Sequence, residues 1–379
     1  MNVTFVTIFD GHDIRNWSGT EYYLSKVLEQ QEFELNYIGH LRTSLYHRMK
    51  RRLRDRVGIN RYLEKRDPLV VKNYARQINR QLAELKTDLI FSPSSVPVSL
   101  LSTNKPIVFC TDAIFAGMID FYDEFTNLSP KTIRNGHQME QSAFDRCSLA
   151  IVSSQWAADV AIKNYDVSPE KIKVVPFGAN IECSRTIDDI RGMVESRSTQ
   201  FCSLTFIGYD WKRKGGDIAF AVVQALNQAG LPSELNIIGC DPFQEDAIPP
   251  SYVHVYGKLN KESESDMELY GKVVRKSHFL IMPSRAEAYG LVFCEANSFG
   301  VPCIASNVGG IPTIIKDNVN GMKFPPNSAI NQYVAYITSV FANYERYKDM
   351  AFSSFHEYET RLNWNVAGKT IKKLLLQLS

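Results

Sequence analysis

The chain has 379 residues, 44% of them apolar and 22% charged, with a formal net charge of +2. That length suits about two domains of ~150 residues each, and the near-neutral balance argues against the whole molecule being a nucleic-acid binder. Seven cysteines, at 110, 147, 183, 202, 240, 294 and 303, form no CxxC pair and are odd in number. This argues against a disulfide frame or a zinc site and for a reducing compartment.

The chain opens on "MNVTFVTIF", which lacks a basic leader region and is expected to be a first strand. No apolar run approaches the ~20 residues of a membrane span, so the expectation is a cytoplasmic protein, soluble or peripheral on the inner face of a membrane. Residues 42 to 66 hold ten Lys/Arg and two Asp/Glu, a local +8, so the remainder of the chain is net acidic. Leu45, Met49, Leu53 and Val57 recur every four positions there, predicting a helix with a narrow apolar stripe. Three readings fit: a solvated surface helix, a basic rim for an acceptor, or contact with an anionic membrane or polyanion.

Short apolar runs then alternate with helical stretches: "VTFVTIF", "LNYIGHL", "DLIFSPS", "PIVFCTD" and "LAIVSS". Continuous apolar strands separated by helices predict a parallel sheet covered on both faces. After "IKVVPFGANIE" the pattern restarts with "SLTFIGYD", "ELNIIGC", "VHVYGKL", "HFLIMPS", "PCIASN" and "GMKF". The expected fold class is α/β with two Rossmann-like domains. The first spans 1–185 together with a terminal helix at 362–379; the second spans 186–361. The polar stretch "SRTIDDIRGMVESRSTQ" is the expected connection. The seven histidines (12, 40, 47, 137, 254, 278, 356) show no metal spacing; His137 lies in a predicted helix of the first domain.

"EAYGLVFCE" places Glu287 and Glu295 on either side of Gly290. Open α/β sheets bind ligands beyond the carboxyl ends of their strands, and "HFLIMPS" ends just before this stretch. A helix starting near Gly290–Leu291 would offer free N–H groups to a phosphate, which glycine lets approach closely. Carboxylates on both sides would accept hydrogen bonds from the hydroxyls of a sugar nucleotide. The alternative on spacing alone is a capping glutamate followed by a solvent-facing one.

The longer stretch "PSRAEAYGLVFCEANSFGVPCIASNVGGIPTII" resembles the signature of glycosyltransferase family 4, a retaining GT-B family. "FIGYDWKRKGGD", "KIKVVPFGAN" and "WSGTEYYLSKVL" resemble other parts of that family in the same order. The resemblance implies two Rossmann-like domains facing a cleft, the second holding a nucleotide-diphosphate sugar and the first most of the acceptor, with the terminal helix from Trp364 crossing back to the first domain. It implies that Glu295 contacts the donor ribose and Glu287 the transferred sugar. Backbone at Tyr289, Gly290 and Leu291 would hold the pyrophosphate, with Gly208, Gly257 and Lys258 around the nucleotide. Lys214, with Arg213 or Lys212, would neutralise the leaving diphosphate. Gly19 and Thr20 would border the donor phosphates. No metal or other cofactor is expected, and there is no Asp-x-Asp motif.

Three departures stand out. Tyr209 follows Gly208 where the family often has Arg. Thr111-Asp112 stands where many members have His-Asp, leaving Asp112 either an acceptor-orienting role or a helix cap. Thr313 stands where Glu is common. The activity implied is retaining transfer of a hexose-type sugar to a hydroxyl of a glycan, lipid-linked or small-molecule acceptor. Alternatives are a phosphorylase or epimerase on the same fold, a non-catalytic nucleotide-sugar-binding protein, and, ranked low, a nucleic-acid-directed transferase using the 42–66 stretch.

Overall fold

The computed structural model describes residues 1–57, 60–243 and 248–378. It divides the chain into two compact units, Met1–Pro176 with Trp364–Ser379, and Phe177–Asn363.

In the first unit six parallel strands run in the order β2-β1-β3-β4-β5-β6. They are β1 (Asn2–Val6), β2 (Glu34–Ile38), β3 (Leu89–Ser92), β4 (Ile107–Thr111), β5 (Leu149–Val152) and β6 (Ile172–Val174). Strands β3, β4 and β5 are buried at every position, as a sheet covered on both faces requires. The core beneath them packs Val6, Ile90, Phe109 and Val152 against Tyr74, Ile78 and Phe144 from flanking helices. The terminal helix, Trp364–Leu375, closes on α1 (Thr20–Gln30) of this unit. Trp364 stacks on Tyr23 with ring planes 8° apart, and Lys372 reaches Glu32 at 3.1 Å. Gly368 is needed at that crossing, because a Cβ there would lie 2.5 Å from Val27 Cγ2.

The second unit repeats the plan with the order β12-β11-β10-β7-β8-β9, again all parallel. These strands are β7 (Cys202–Ile207), β8 (Ser233–Ile238), β9 (Val253–Gly257), β10 (Phe279–Met282), β11 (Cys303–Ser306) and β12 (Gly321–Phe324). His278, just before β10, is a structural residue. Its Nδ1 accepts from the Ser203 N–H at 3.0 Å and its Nε2 faces the Ser198 carbonyl at 2.8 Å. That pairing holds a neutral imidazole, and burial, aided by the charge of Arg197, pushes its pKa down to about 3.

Two sequence expectations change. The stretch expected as a connection holds a helix, Ile187–Glu195, with a capping box between Thr186 and Asp189 and with Ile190 and Val194 fully buried. Its exposed face carries the polar residues that make the stretch look like a linker. The first boundary lies before Phe177, not at 185/186, and the second after Asn363, not at 361/362. The segment from Phe177 is bonded into the second unit: its carbonyl accepts from Tyr289 Oη at 2.9 Å, and Ala179 N–H bonds to Leu362 O at 3.2 Å.

Candidate active site

β7 and β10 are hydrogen-bonded neighbours, so the loops leaving their carboxyl ends run side by side. The first, Gly208 to Gly215, leads to the helix Gly216–Gln228; the second, Pro283 to Gly290, leads to the helix Leu291–Asn297. Both helices start on a left-handed glycine, Gly215 at φ 76° and Gly290 at φ 101°. A side chain would be strained at either. At Gly215 it would also meet the Pro283 carbonyl, because a Cβ there would lie 2.1 Å from that oxygen.

The two loops are stitched together. Arg285 N–H bonds to Arg213 O at 2.7 Å, and Arg213 Nη1 donates to Ala286 O at 2.9 Å. Across this seam Lys214 Nζ donates to Glu287 Oε2, and Arg213 Nη1 stands 4.0 Å from the same oxygen. Glu287 is 7% exposed. Its backbone carbonyl accepts from Gly310 N–H at 3.2 Å, which draws in the glycine loop after β11. Lys212 turns elsewhere: it pairs with Asp217 at 3.0 Å, and Asp217 also takes both arms of Arg285. Of the three basic candidates, then, Lys214 and Arg213 meet Glu287 and Lys212 does not.

Glu295 is 1% exposed on the inner face of its short helix. It is not a solvent-facing helix glutamate. Tyr270 Oη donates to Oε2 at 2.7 Å and Lys261 Nζ to Oε1 at 2.6 Å. Lys261 also donates to Asn180 O at 3.0 Å. Sequence reasoning missed both partners. They lie 34 and 25 positions away, on a loop and a helix, and no local period links them. Tyr289 is buried and occupied with Phe177, so only its backbone is open to a ligand role. In the first turn the Phe293 N–H bonds to Gly290 O at 3.0 Å, which leaves those of Leu291 and Val292 as the groups without an intrahelical carbonyl.

Gly208 N–H bonds to Ile238 O at 2.9 Å, and Gly257, at φ 67°, accepts through its carbonyl from Gly239 N–H at 2.7 Å. This brings the ends of β7, β8 and β9 level. Lys258 Nζ lies 6.0 Å from the ring centre of Tyr209, the exposed residue where the family often has Arg.

Trp17, Ser18 and Gly19 are all left-handed, at φ 45°, 55° and 87°, and Gly19 caps α1. Thr20 is buried. Beside it stands Glu21, which sequence reasoning passed over. It is buried, accepts from Thr7 Oγ1 at 2.8 Å, and burial pushes its pKa up to about 7. Thr111 Oγ1 donates to Ala113 O at 3.1 Å within its own loop. Asp112 is not the N-cap of the short helix that follows, Phe115–Met118, whose cap is Ile114. His137 is half-buried, 3.1 Å from Tyr165 Oη and edge-on to Phe115. These contacts account for it as packing. Among the described residues no group of three or more His, Cys, Asp or Glu could hold a metal ion.

Comparison with known proteins agrees with this geometry. The family model for Glycosyltransferase Family 4 matches residues 22–182, and that for Glycosyl transferases group 1 matches residues 253–354. A D-inositol 3-phosphate glycosyltransferase of Corynebacterium glutamicum (strain R) is 29% identical over 196 residues, 48% of this chain and 46% of that protein. The chain spans about half the length of the curated relatives it matches. Among solved structures, sucrose-phosphate synthase from Thermosynechococcus elongatus superposes with a TM-score of 0.71 at 14% identity, covering 100% of this chain and 99% of that one. Anabaena HepE in complex with UDP-glucose gives 0.65 at 16% identity, with 100% of both chains covered. The fold is GT-B, built on two Rossmann-like domains, and the chain belongs to glycosyltransferase family 4.

Proposed function

We propose that the chain is a retaining glycosyltransferase that moves a hexose-type sugar from a nucleoside diphosphate sugar to an acceptor hydroxyl, without a metal ion. The observation that carries this is the arrangement around Gly290. Glu287, held against Lys214, stands just before a glycine-started helix, and Glu295, held by Lys261 and Tyr270, stands on the inner face of that helix. A sugar diphosphate offers hydroxyls on both sides of two negative phosphates, and this set supplies acceptors, cations and helix N–H groups in that order. HepE, similar in fold, was solved with UDP-glucose, which supports the donor class.

Each residue has a role in this reading. Glu287 accepts from the transferred sugar. Lys214 and Arg213 stabilise the charge that grows on the departing diphosphate, in place of a metal. The ribose takes the position of the Lys261 ammonium on Glu295 Oε1, while Tyr270 keeps Oε2. In the other unit, Gly19 and Thr20 are assigned to the donor phosphates and Asp112 to the acceptor hydroxyl. No carboxylate is assigned as a nucleophile beneath the anomeric carbon. We therefore favour front-face attack, with the leaving phosphate taking the acceptor proton. The acceptor is a glycan or a lipid-linked sugar, the latter reached at an anionic membrane face from the cytoplasmic side.

A panel of UDP-, GDP- and ADP-sugars, read by donor hydrolysis and thermal shift with and without EDTA, tests the donor and metal assignments. Lys214→Ala should lower kcat by roughly 100- to 1,000-fold. NMR of the product should show a retained anomeric configuration, and an inverted one would sink the mechanism. Unchanged donor affinity in Glu295→Ala would remove the ribose assignment.

A further inference from the structure

α2 (Leu45–Val57) is mounted the wrong way round for a surface helix. A helix on a globular body normally turns its apolar stripe inward and its charges to water. Here polar side chains make the inward contacts. His47 lies 3.8 Å and Lys50 3.9 Å from Asp67, and Arg51 donates to Glu64 at 3.0 Å. Lys50 and Arg54 sit 4.3 and 5.9 Å from the centre of the Tyr62 ring. The apolar residues point the other way: Leu45 is 69% exposed, Tyr46 67%, Met49 67% and Leu53 64%. At about 100° per residue these four share one arc. Arg48, Arg52 and Arg56, all exposed, lie within that arc or along one side of it. Val57, the last position of the expected stripe, has a side chain outside the described residues.

Single exposed apolar residues are ordinary, but four on one face form a contiguous patch of the kind that marks an interaction surface. The charge around it selects the occupant. The 42–66 stretch carries +8 in a chain of +2. A second copy of this face would bring arginines against arginines. A polynucleotide would match the arginines and leave the apolar arc in water. An anionic bilayer matches both: the arc enters the boundary between headgroups and acyl chains while the arginines meet lipid phosphates. Tyr46 has the amphipathic ring suited to that depth.

We propose that α2 is a membrane-docking helix, lying in the plane of an anionic lipid surface with Leu45, Tyr46, Met49 and Leu53 inserted. This rests on the lipid-linked acceptor reading above and deepens it. The inward pairs to Asp67 and Glu64 hold the helix so that its apolar face is already outward before any lipid is met. Among the described residues no helix is long and apolar enough to cross a membrane.

The test is flotation of the purified full chain with vesicles of phosphatidylcholine alone or mixed with phosphatidylglycerol. It needs no turnover, so it can fail or succeed independently of the transfer reaction. Two triple variants at exposed sites are compared, Leu45→Ser/Met49→Ser/Leu53→Ser and Arg48→Gln/Arg52→Gln/Arg56→Gln, each with an unchanged thermal midpoint. The unsubstituted chain should bind mixed vesicles, bind neutral ones weakly, and lose binding as salt rises. The arginine variant should bind roughly 100-fold more weakly, at about tenfold or less per charge, and the apolar variant should lose the salt-resistant part. Absence of binding to mixed vesicles overturns the proposal, as does binding that survives both variants. A concentration-dependent dimer abolished by the apolar variant would assign the face to a second copy instead.

Discussion

The two units share a plan, six parallel strands and a glycine-started helix at the carboxyl edge, yet they treat the buried glutamates beside those helices in opposite ways. In the second unit Glu287 and Glu295 each hold a lysine ammonium, and Glu295 also holds a tyrosine hydroxyl. In the first, Glu21, at the start of α1, has a threonine hydroxyl on one oxygen, and burial raises its pKa to about 7. A site proposed to receive two phosphates pairs each of its own carboxylates with an ammonium. Glu21 is instead a carboxyl whose proton is readily moved.

Removing one side of a compensated pair should have the largest effect. Glu295→Ala leaves the Lys261 ammonium and the Tyr270 hydroxyl facing a void. Loss of one partner of a buried pair costs about 3–5 kcal/mol, and the partly exposed Lys261 places this one toward the low end. The urea midpoint of the second unit should fall accordingly, and Lys261→Met should restore part of it by removing the stranded charge. A midpoint unchanged in Glu295→Ala would show that the pair is not what holds this region, and the contrast with Glu21 would lose its basis.

Much of this was open to sequence reasoning. The apolar runs of β3, β4, β7 and β10 announce strands because burial on both faces leaves no polar alternation to confuse the pattern. Glu287, Gly290 and Glu295 stand out because strand end, glycine and helix start are consecutive in the chain. Lys261 and Tyr270 do not, because they reach Glu295 only through the order of strands in the sheet. The helix Ile187–Glu195 looks like a linker because its apolar contribution to the core is small. The period of α2 predicts a helix and a stripe. Which face turns outward was settled by Glu64, Asp67 and Tyr62, whose contacts no hydrophobic period encodes.

His278 offers a second, smaller test of the second unit. Its folded pKa, about 3, lies below the ordinary 6.5. A histidine buried neutral contributes stability that is present above pH 6.5 and is lost as pH falls toward 3. The loss should reach roughly 3 kcal/mol by pH 4. His278→Gln should lower stability at pH 7, through the Ser203 and Ser198 bonds, but flatten the acid slope. A slope as steep as that of the unsubstituted chain would assign the acid sensitivity to other groups.

The smallest effect, and the one that bears most directly on the contrast, belongs to Glu21. Its folded pKa, about 7, lies above the ordinary 4.5, so the protonated form is favoured by folding. The stability this gives is full below pH 4.5 and is lost as pH rises through 7. Ionising a group in this setting should cost roughly 2–3 kcal/mol by pH 8. Glu21→Gln keeps an oxygen for the Thr7 hydroxyl and cannot ionise. Its stability should match that of the unsubstituted chain near pH 5 and exceed it at pH 8. Glu295→Gln should instead lower stability, because it takes the negative charge from the Lys261 pair. If the Glu21 variant instead ran parallel to the unsubstituted chain from pH 5 to 8, Glu21 would be ionised across that range, held so by the nearby Lys65, whose charge already acts to lower its pKa.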